Sequence, residues 1–514
     1  MNPGSVADLV LKNANVITME PAQPKAELVA IKGDRILRVG SNEALEQVKG
    51  AKTRIIDCQG KTLLPGFIDA HCHIFSRIRQ LFGIDLSPAS VRSISDIKSV
   101  IRRHAQNTPP GRWLSGTGYS DFYLAEKRHP NRWDLDEVAP NHPVVLAHRS
   151  LHACVLNSLA LSLAGITIDS EAPAGGLIER DPNSGELTGL LFEMLGYIRR
   201  KATPPMTEDE VAKGITLANQ HYLSLGITSV QEATVTNNLE QWQTFRRFKD
   251  RLKSRVYMML GAEALAEFQE AGMATGYGNN ELRLGGVKIV LSKATGRLRP
   301  SQAELNELVL RAHRAGFQVA IHAIEPDMVE AAIAALEHIG DSLSGRRHRI
   351  EHCSVCPPHL VRRLSKLKAV VASQPPFVHY SGERYLAQVP ADEQQWLYPF
   401  RSLLDSGVIV AGSSDSPIVP DNPLIGVFAA VARQAETGQQ VTPEESVSAS
   451  QALAMYTTNA AYASFEENIK GSIVPGKLAD LVVLRDDPTA LPPEQIKDIK
   501  VEMTILGGKA VWER

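Results

Sequence analysis

Two patterns of apolar and polar positions share this chain. At the N-terminus, "DLVLKNANVITM", "ELVAIKGDRILRVG" and "TRIIDCQGKTLLPG" alternate in strand fashion and are broken by Gly-Asp or Asn-Ala pairs. That pattern predicts short antiparallel hairpins. The C-terminus returns to it in "GSIVPGKLADLVVLRDDP" and "VEMTILGGKAVWER", so residues 1–64 and 468–514 are expected to form one small β-sandwich from both termini. The middle, residues 65–467, reads differently. Short β-branched runs ("GFIDAHCH", "GITSVQEA", "RVYMML", "GGVKIVLS", "FQVAIHAI", "RHRIEHC", "AVVASQ" and "GVIVAGSSD") are separated by longer helical patterns such as "SQAELNELVLRAHRAG". Eight strand–helix units predict an α/β fold, a closed (β/α)8 TIM barrel. An open doubly wound sheet is the alternative, but no G-x-G-x-x-G follows the first strand.

Residues 81–205, between the first and second strands, are too many for a loop in a compact domain. A folded insertion is expected there, and insertions after barrel strands emerge at the catalytic face, so it should cover the site. A helix from about Pro443 to Ala461, opened by Thr442, Pro443 and Glu444, is expected outside the barrel.

Composition narrows the class without changing the fold. The chain has 514 residues, 43% hydrophobic and 22% charged, with a formal net charge of −2. Those are the proportions of a globular protein too long for one ordinary core. The charge gives no electrostatic argument for a nucleic-acid or membrane partner. No apolar run reaches the roughly 20 residues that span a bilayer, and "MNPGSVADLV" lacks the regions of a secretory signal. Five cysteines in so long a chain are no disulfide framework, so a cytoplasmic location is expected. A homodimer is the common default for oligomeric state.

Chemistry enters at the strand ends. Residues i and i+2 of a strand share a face, so His71 and His73 project together while Cys72 faces away. Two convergent imidazoles suit a divalent metal such as Zn2+. His322 closes "FQVAIHAI", His352 closes "RHRIEHC", and Asp415 follows "GVIVAGSSD". Burying these polar groups unpaired would be costly, and shared metal ligation removes the cost. Lys288, in mid-strand within "GGVKIVLS", is a buried charge unless it is neutral. A neutral amine can add CO2 to give a carbamate, an anionic ligand able to bridge two metals. "CSVCPPH" has no second C-x-x-C, so of Cys353 and Cys356 one buried thiol and one helix-entry residue are expected.

The set "PGFIDAHCH", "VKIV", "AIHAI", "RIEHC", "SQPPF" and "GSSDSP", closed by "GSIVPGKLADLVVL", resembles the amidohydrolase superfamily over essentially the whole chain. The long insertion and "RHRIEHC…SQPPF…GSSDSPI" resemble its amidohydrolase-3 branch, which contains N-substituted formamide deformylase-like enzymes. The resemblance implies that His71, His73 and Asp415 bind one metal and His322 and His352 a second, with carboxylated Lys288 bridging two Zn2+ ions. Asp415 is then the general base and acid for a metal-activated water that hydrolyses a C–N bond of a small amide, N-acyl, N-formyl or cyclic amide compound, an EC 3.5 activity.

One departure opens an alternative. The branch typically continues "AIHAIGD", whereas this chain reads "AIHAIEPD". His322 and Glu325 then resemble the H-x-x-E of mononuclear deaminases of aminated heterocycles, in which one metal suffices. Glu325 is equally placed as an acidic residue at a helix start. Some relatives keep the fold as assembly proteins after losing metal ligands, but all six ligand positions are filled here. Candidate substrate contacts are His152, His379, Tyr380 and Glu325. His148, Arg149, Asn157 and Arg384 are softer ones. Trp113, Tyr119 and Phe122 fit the insertion's own core better than a pocket.

Overall fold

The computed structural model describes residues 6–340 and 345–514. The first five residues of the expected N-terminal sandwich segment therefore lie outside the described part. The chain divides into two compact units. The first comprises Met1–Ile74, Ile215–Val290 and Glu304–Arg514; the second comprises Phe75–Gly214 and Leu291–Ala303.

At the centre of the first unit are eight parallel strands: β1 (Phe67–Cys72), β2 (Ile227–Glu232), β3 (Arg255–Gly261), β4 (Leu282–Val290), β5 (Val319–Ala323), β6 (Arg349–His352), β7 (Val370–Ser373) and β8 (Ile409–Gly412). Each pairs in parallel with its sequence neighbour, from β1 through to β8. They form a nearly closed barrel, and the eight expected strands are all present. Residues of these strands are buried on both faces, which is why they read as continuous apolar runs rather than alternating ones. Close approach shapes β4: a Cβ on Gly285 would meet the Tyr257 ring of β3 at 2.6 Å.

Both termini contribute to a six-stranded sheet. Its order is Lys509–Glu513, Val501–Leu506, Leu481–Leu484, Thr62–Pro65, Asn15–Ile17 and Lys25–Ala26. A second sheet of four strands comes from the N-terminal segment alone. Leu9, Leu11, Val29 and Ile31 from the latter share one core with Val16, Leu63, Leu481, Val483 and Ile505 from the former. The two sheets thus face each other, as their alternating patterns require.

The expected helix over 443–461 is broken into a 3-10 turn (Pro443–Glu445) and two helices (Ala449–Met455 and Thr458–Ala463). Ser446 is extended, and Ser448 starts a new helix with a capping box to Gln451. A serine that accepts its own N3 amide restarts a helix rather than continuing one. Thr457 interrupts the chain again. The last helix packs Ala460, Ala461 and Ala463 against Ile68, Ala70, Val370 and Ala411, on the outside of β1, β7 and β8.

The second unit is built on a six-stranded mixed sheet that includes Leu114–Tyr119, Val144–His148, Ala153–Leu156 and Leu187–Phe192. Alternation along Val144–His148 feeds two cores. Val144 and Leu146 join Ile94, Ile97 and Ile101, whereas Val145 and Ala147 join Leu156, Ala160 and Leu191. This sheet is therefore covered on both faces. No helix among the described residues is long and apolar enough to cross a membrane.

Candidate metal centre

His71 lies at the end of β1 and His73 just beyond it. His71 is fully buried, and its Nδ1 donates to Glu351 Oε2. Arg349 grips Glu351 through Nε at 2.7 Å and Nη2 at 2.8 Å. Carboxylate oxygens that face guanidinium N–H groups act as acceptors, so His71 carries its proton on Nδ1 and turns the Nε2 lone pair inward. The other imidazoles are tethered alike. His73 Nδ1 lies 2.9 Å from Thr234 Oγ1. His352 Nδ1 lies 2.7 Å from Gln374 Oε1, whose own amide donates to Ser413 Oγ at 3.0 Å. Each ring is thereby anchored through Nδ1, leaving Nε2 for the site.

Asp415 arrives from the loop after β8. Its backbone is left-handed, with φ 59°, as are those of His352 (71°) and Cys353 (51°). Such conformations cost non-glycine residues energy and gather where side chains must be aimed. Adjacent strand residues normally face opposite ways, yet Glu351 and His352 both reach His71. The left-handed turn at His352 allows it.

The donors converge. Ligand atoms of His71, His73 and Asp415 all lie within 4.8 Å of one another. Asp415 Oδ1 is 3.0 Å from His73 Nε2 and 3.5 Å from His71 Nε2. It is buried, and neither contact has hydrogen-bonding alignment, so it accepts no hydrogen bond. A carboxylate oxygen facing imidazole lone pairs is repulsive until a cation lies between them. Two imidazoles and a carboxylate are a donor set suited to Zn2+, so the residues fit a divalent metal.

The remaining candidates surround this triad. Lys288 Nζ lies 3.1 Å from His71 Nε2. The His71 and His352 ring centroids are 4.9 Å apart, and those of His322 and His352 are 4.3 Å apart. Burial keeps His71 and His352 neutral. Burial, reinforced by Lys288, pushes His71 well below the usual imidazole range, and burial takes His352 to about 4. Burial also lowers Lys288 to about 8, against the pull of Glu351 and Asp415.

Other expected contacts take different places. Glu325 is exposed and starts the helix Pro326–Glu337. His379 and Tyr380 lie inside the helix Pro375–Gln388, which begins directly after β7 because Pro375 and Pro376 suit a first helical turn. His379 Nδ1 sits 3.1 Å from Gln434 O. In the second unit, His152 Nδ1 is 2.9 Å from Glu193 Oε1, which also accepts from Ser292 Oγ at 3.0 Å. His148 Nε2 lies 3.2 Å from Asp121 Oδ1, and Asn157 caps the helix Ser158–Leu163. Tyr119 is in that unit's core, with Trp113 packed against its other core. Phe122 stacks edge-on with Tyr123, which Arg149 also approaches, and Arg384 lies over Tyr385. Cys353 and Cys356 are buried thiols.

Sequence reasoning missed Glu351, Arg349, Gln374 and Thr234. A signal existed for the first two. Arg349 and Glu351 stand two apart in "RHRIEHC", hence on one face of a buried strand, where opposite charges must find each other.

Comparison with known proteins agrees with this architecture. The model of the amidohydrolase family matches residues 54–512. The chain is 30% identical to an N-substituted formamide deformylase of Arthrobacter pascens, over 99% of this chain and 98% of that one. It is 27% identical to the putative amidohydrolase YtcJ of Bacillus subtilis (strain 168), over 97% and 98% of the two chains. The crystal structure of an uncharacterized metal-dependent hydrolase from Pyrococcus horikoshii OT3 shares the fold, with a TM-score of 0.75 and 23% identity over 95% of this chain and 99% of that one. With eight barrel strands, convergent His71, His73 and Asp415, and a family match across most of its length, the chain belongs to the amidohydrolase family.

Proposed function

We propose that the chain hydrolyses a C–N bond of a small amide, N-acyl, N-formyl or cyclic amide compound at the His71–His73–Asp415 centre. The observation that carries this reading is the buried Asp415 Oδ1, which faces two imidazole nitrogens and accepts no hydrogen bond. A divalent ion held there, Zn2+ by its donor set, supplies a Lewis acid that polarises a carbonyl and makes water acidic near neutral pH. Asp415 takes a proton from the attacking water on its second oxygen. It then returns that proton to the departing nitrogen. The sum is one water added across the C–N bond, giving a carboxylic acid and an amine, or formic acid and an amine from a formamide. No Ser or Cys nucleophile is needed. Likeness to an N-substituted formamide deformylase over 99% of the chain supports the N-formyl or N-acyl choice.

Lys288 extends this reading to two metals. With its amine near 8, a fraction is neutral at neutral pH and can add CO2 with loss of a proton. The carbamate formed there, with His322 and His352, is the proposed second donor set. His379 and Tyr380 are the proposed substrate contacts. Glu325, exposed at a helix start, lends no support to deaminase chemistry.

The test combines metal analysis with a substrate panel. Formate or another carboxylate should appear with an amine from N-formyl or N-acyl compounds. Ammonia released from aminated heterocycles alone would overturn the assignment. One metal per chain with unmodified Lys288 would remove its binuclear part.

A further inference from the structure

Arg349 and Glu351 are both fully buried in the barrel interior. Arg349 spends its donors on Glu351, on Gln231 Oε1 and on Ala70 O at 2.8 Å. Glu351 Oε2 in turn accepts both from Arg349 Nη2 and from His71 Nδ1. A buried ion pair is at best neutral for stability against packed apolar residues of the same volume. Fold stability therefore leaves this pair unexplained, whereas its geometry has a definite result. Gln231, Ala70 and Arg349 fix the carboxylate, the carboxylate fixes the imidazole, and Nε2 is directed at Asp415. The negative charge on Nδ1–H also makes Nε2 a stronger electron donor.

We propose that Glu351, anchored by Arg349, is a positioning residue that sets the metal affinity of the His71–His73–Asp415 site through His71. This inference rests on the metal reading above. Glu351 never contacts the metal or the substrate; it acts on His71 alone. Gln374, a neutral partner, plays the corresponding part for His352 and confers less donor strength.

The experiment is Zn2+ titration of metal-stripped protein against a chromophoric chelator, with the folded fraction of each variant read by circular dichroism. Glu351→Gln keeps an acceptor near Nδ1 but removes the charge, and should weaken Zn2+ binding by about 10–100-fold. Glu351→Asp keeps the charge for Arg349 but withdraws it from the ring, and should weaken binding in the same direction. It serves as the measurement if the Gln variant does not fold. In a His71→Ala background, Glu351→Gln should change the residual Zn2+ affinity less than twofold. Binding within twofold of the parent in folded single variants overturns the proposal, as does an equal loss in the His71→Ala background. A parent chain that takes up no Zn2+ overturns the metal reading itself, which separates the two failures.

Discussion

The backbone N–H of Asp415 donates to the carbonyl oxygen of His71 at 2.8 Å. Two candidate ligands, from the last and first barrel strands, are thus joined through their main chains before any metal binds. His73 N completes the stitch by donating to Ser416 O at 2.7 Å. Asp69 reinforces it from below, accepting from His71 N and Ser414 N at 3.1 Å each and from the Ser414 hydroxyl. The site is preorganised by barrel closure, which holds its donors on rigid elements.

Asp69→Ala should therefore act on both stability and metal binding. It leaves two buried N–H groups and a hydroxyl without their acceptor, at a cost of about 3 kcal/mol. Urea unfolding of the metal-free protein measures the first effect and Zn2+ titration the second. An unchanged unfolding midpoint would show that the loop after β8 is held in some other way.

Asp415→Asn removes the proton carrier and keeps the volume. Turnover of an N-formyl substrate should fall by about 10²–10⁴-fold, the usual contribution of a positioned acid–base group. The thermal midpoint of the metal-free variant should stay close to the parent's. A turnover within tenfold of the parent would move the base elsewhere.

Lys288→Met replaces an amine that burial has lowered to about 8 with an apolar chain of similar length. The metal content should fall from two per chain to one. Growth with ¹³C-labelled bicarbonate should give a carbamate carbon signal in the parent that the variant lacks. Equal metal content in the two proteins would exclude a bridging role.

His348 predicts an acid limb in stability. Its Nδ1 accepts the Val319 N–H at 2.9 Å, so its proton sits on Nε2 and points at His313 Nδ1, 3.0 Å away. Burial first, then His313 and Arg346, lower His348 to about 3. The unfolded chain binds a proton near 6.5, where the native state does not. The native form's advantage is therefore complete above about pH 6.5 and is lost as pH falls towards 3, up to about 5 kcal/mol in all. Unfolding free energies from pH 7 to pH 4 should fall more steeply in the parent than in His348→Gln. Parallel curves would place the acid sensitivity in other groups, of which His352 is the next candidate.

Much of the barrel was legible because its strands are buried on both faces. "FQVAIHAI" and "GVIVAGSSD" are apolar runs that stop at a polar residue, and that residue marks the C-terminal rim. The helix over 443–461 was misjudged because helical periodicity continues through Ser446–Ser448, where a local cap outweighs it. The segment Leu291–Ala303, which belongs to the second unit, showed only loop-like composition in "SKATGR". Nothing periodic tells which unit such a segment joins.

By itself the sequence determined the order of the eight barrel strands and the composite terminal sheet, and it singled out His71, His73, Lys288, His322, His352 and Asp415 as candidates in or beside those strands. Each follows from a local period or from a polar residue ending an apolar run. Only the tertiary structure decided which ring nitrogen faces the site. It also decided that Glu351, Gln374 and Thr234 are what turn the rings. The reason is physical: a tautomer is set by the partner of the other nitrogen, and barrel closure supplies those partners from strands and loops remote in sequence, through contacts that no local pattern encodes.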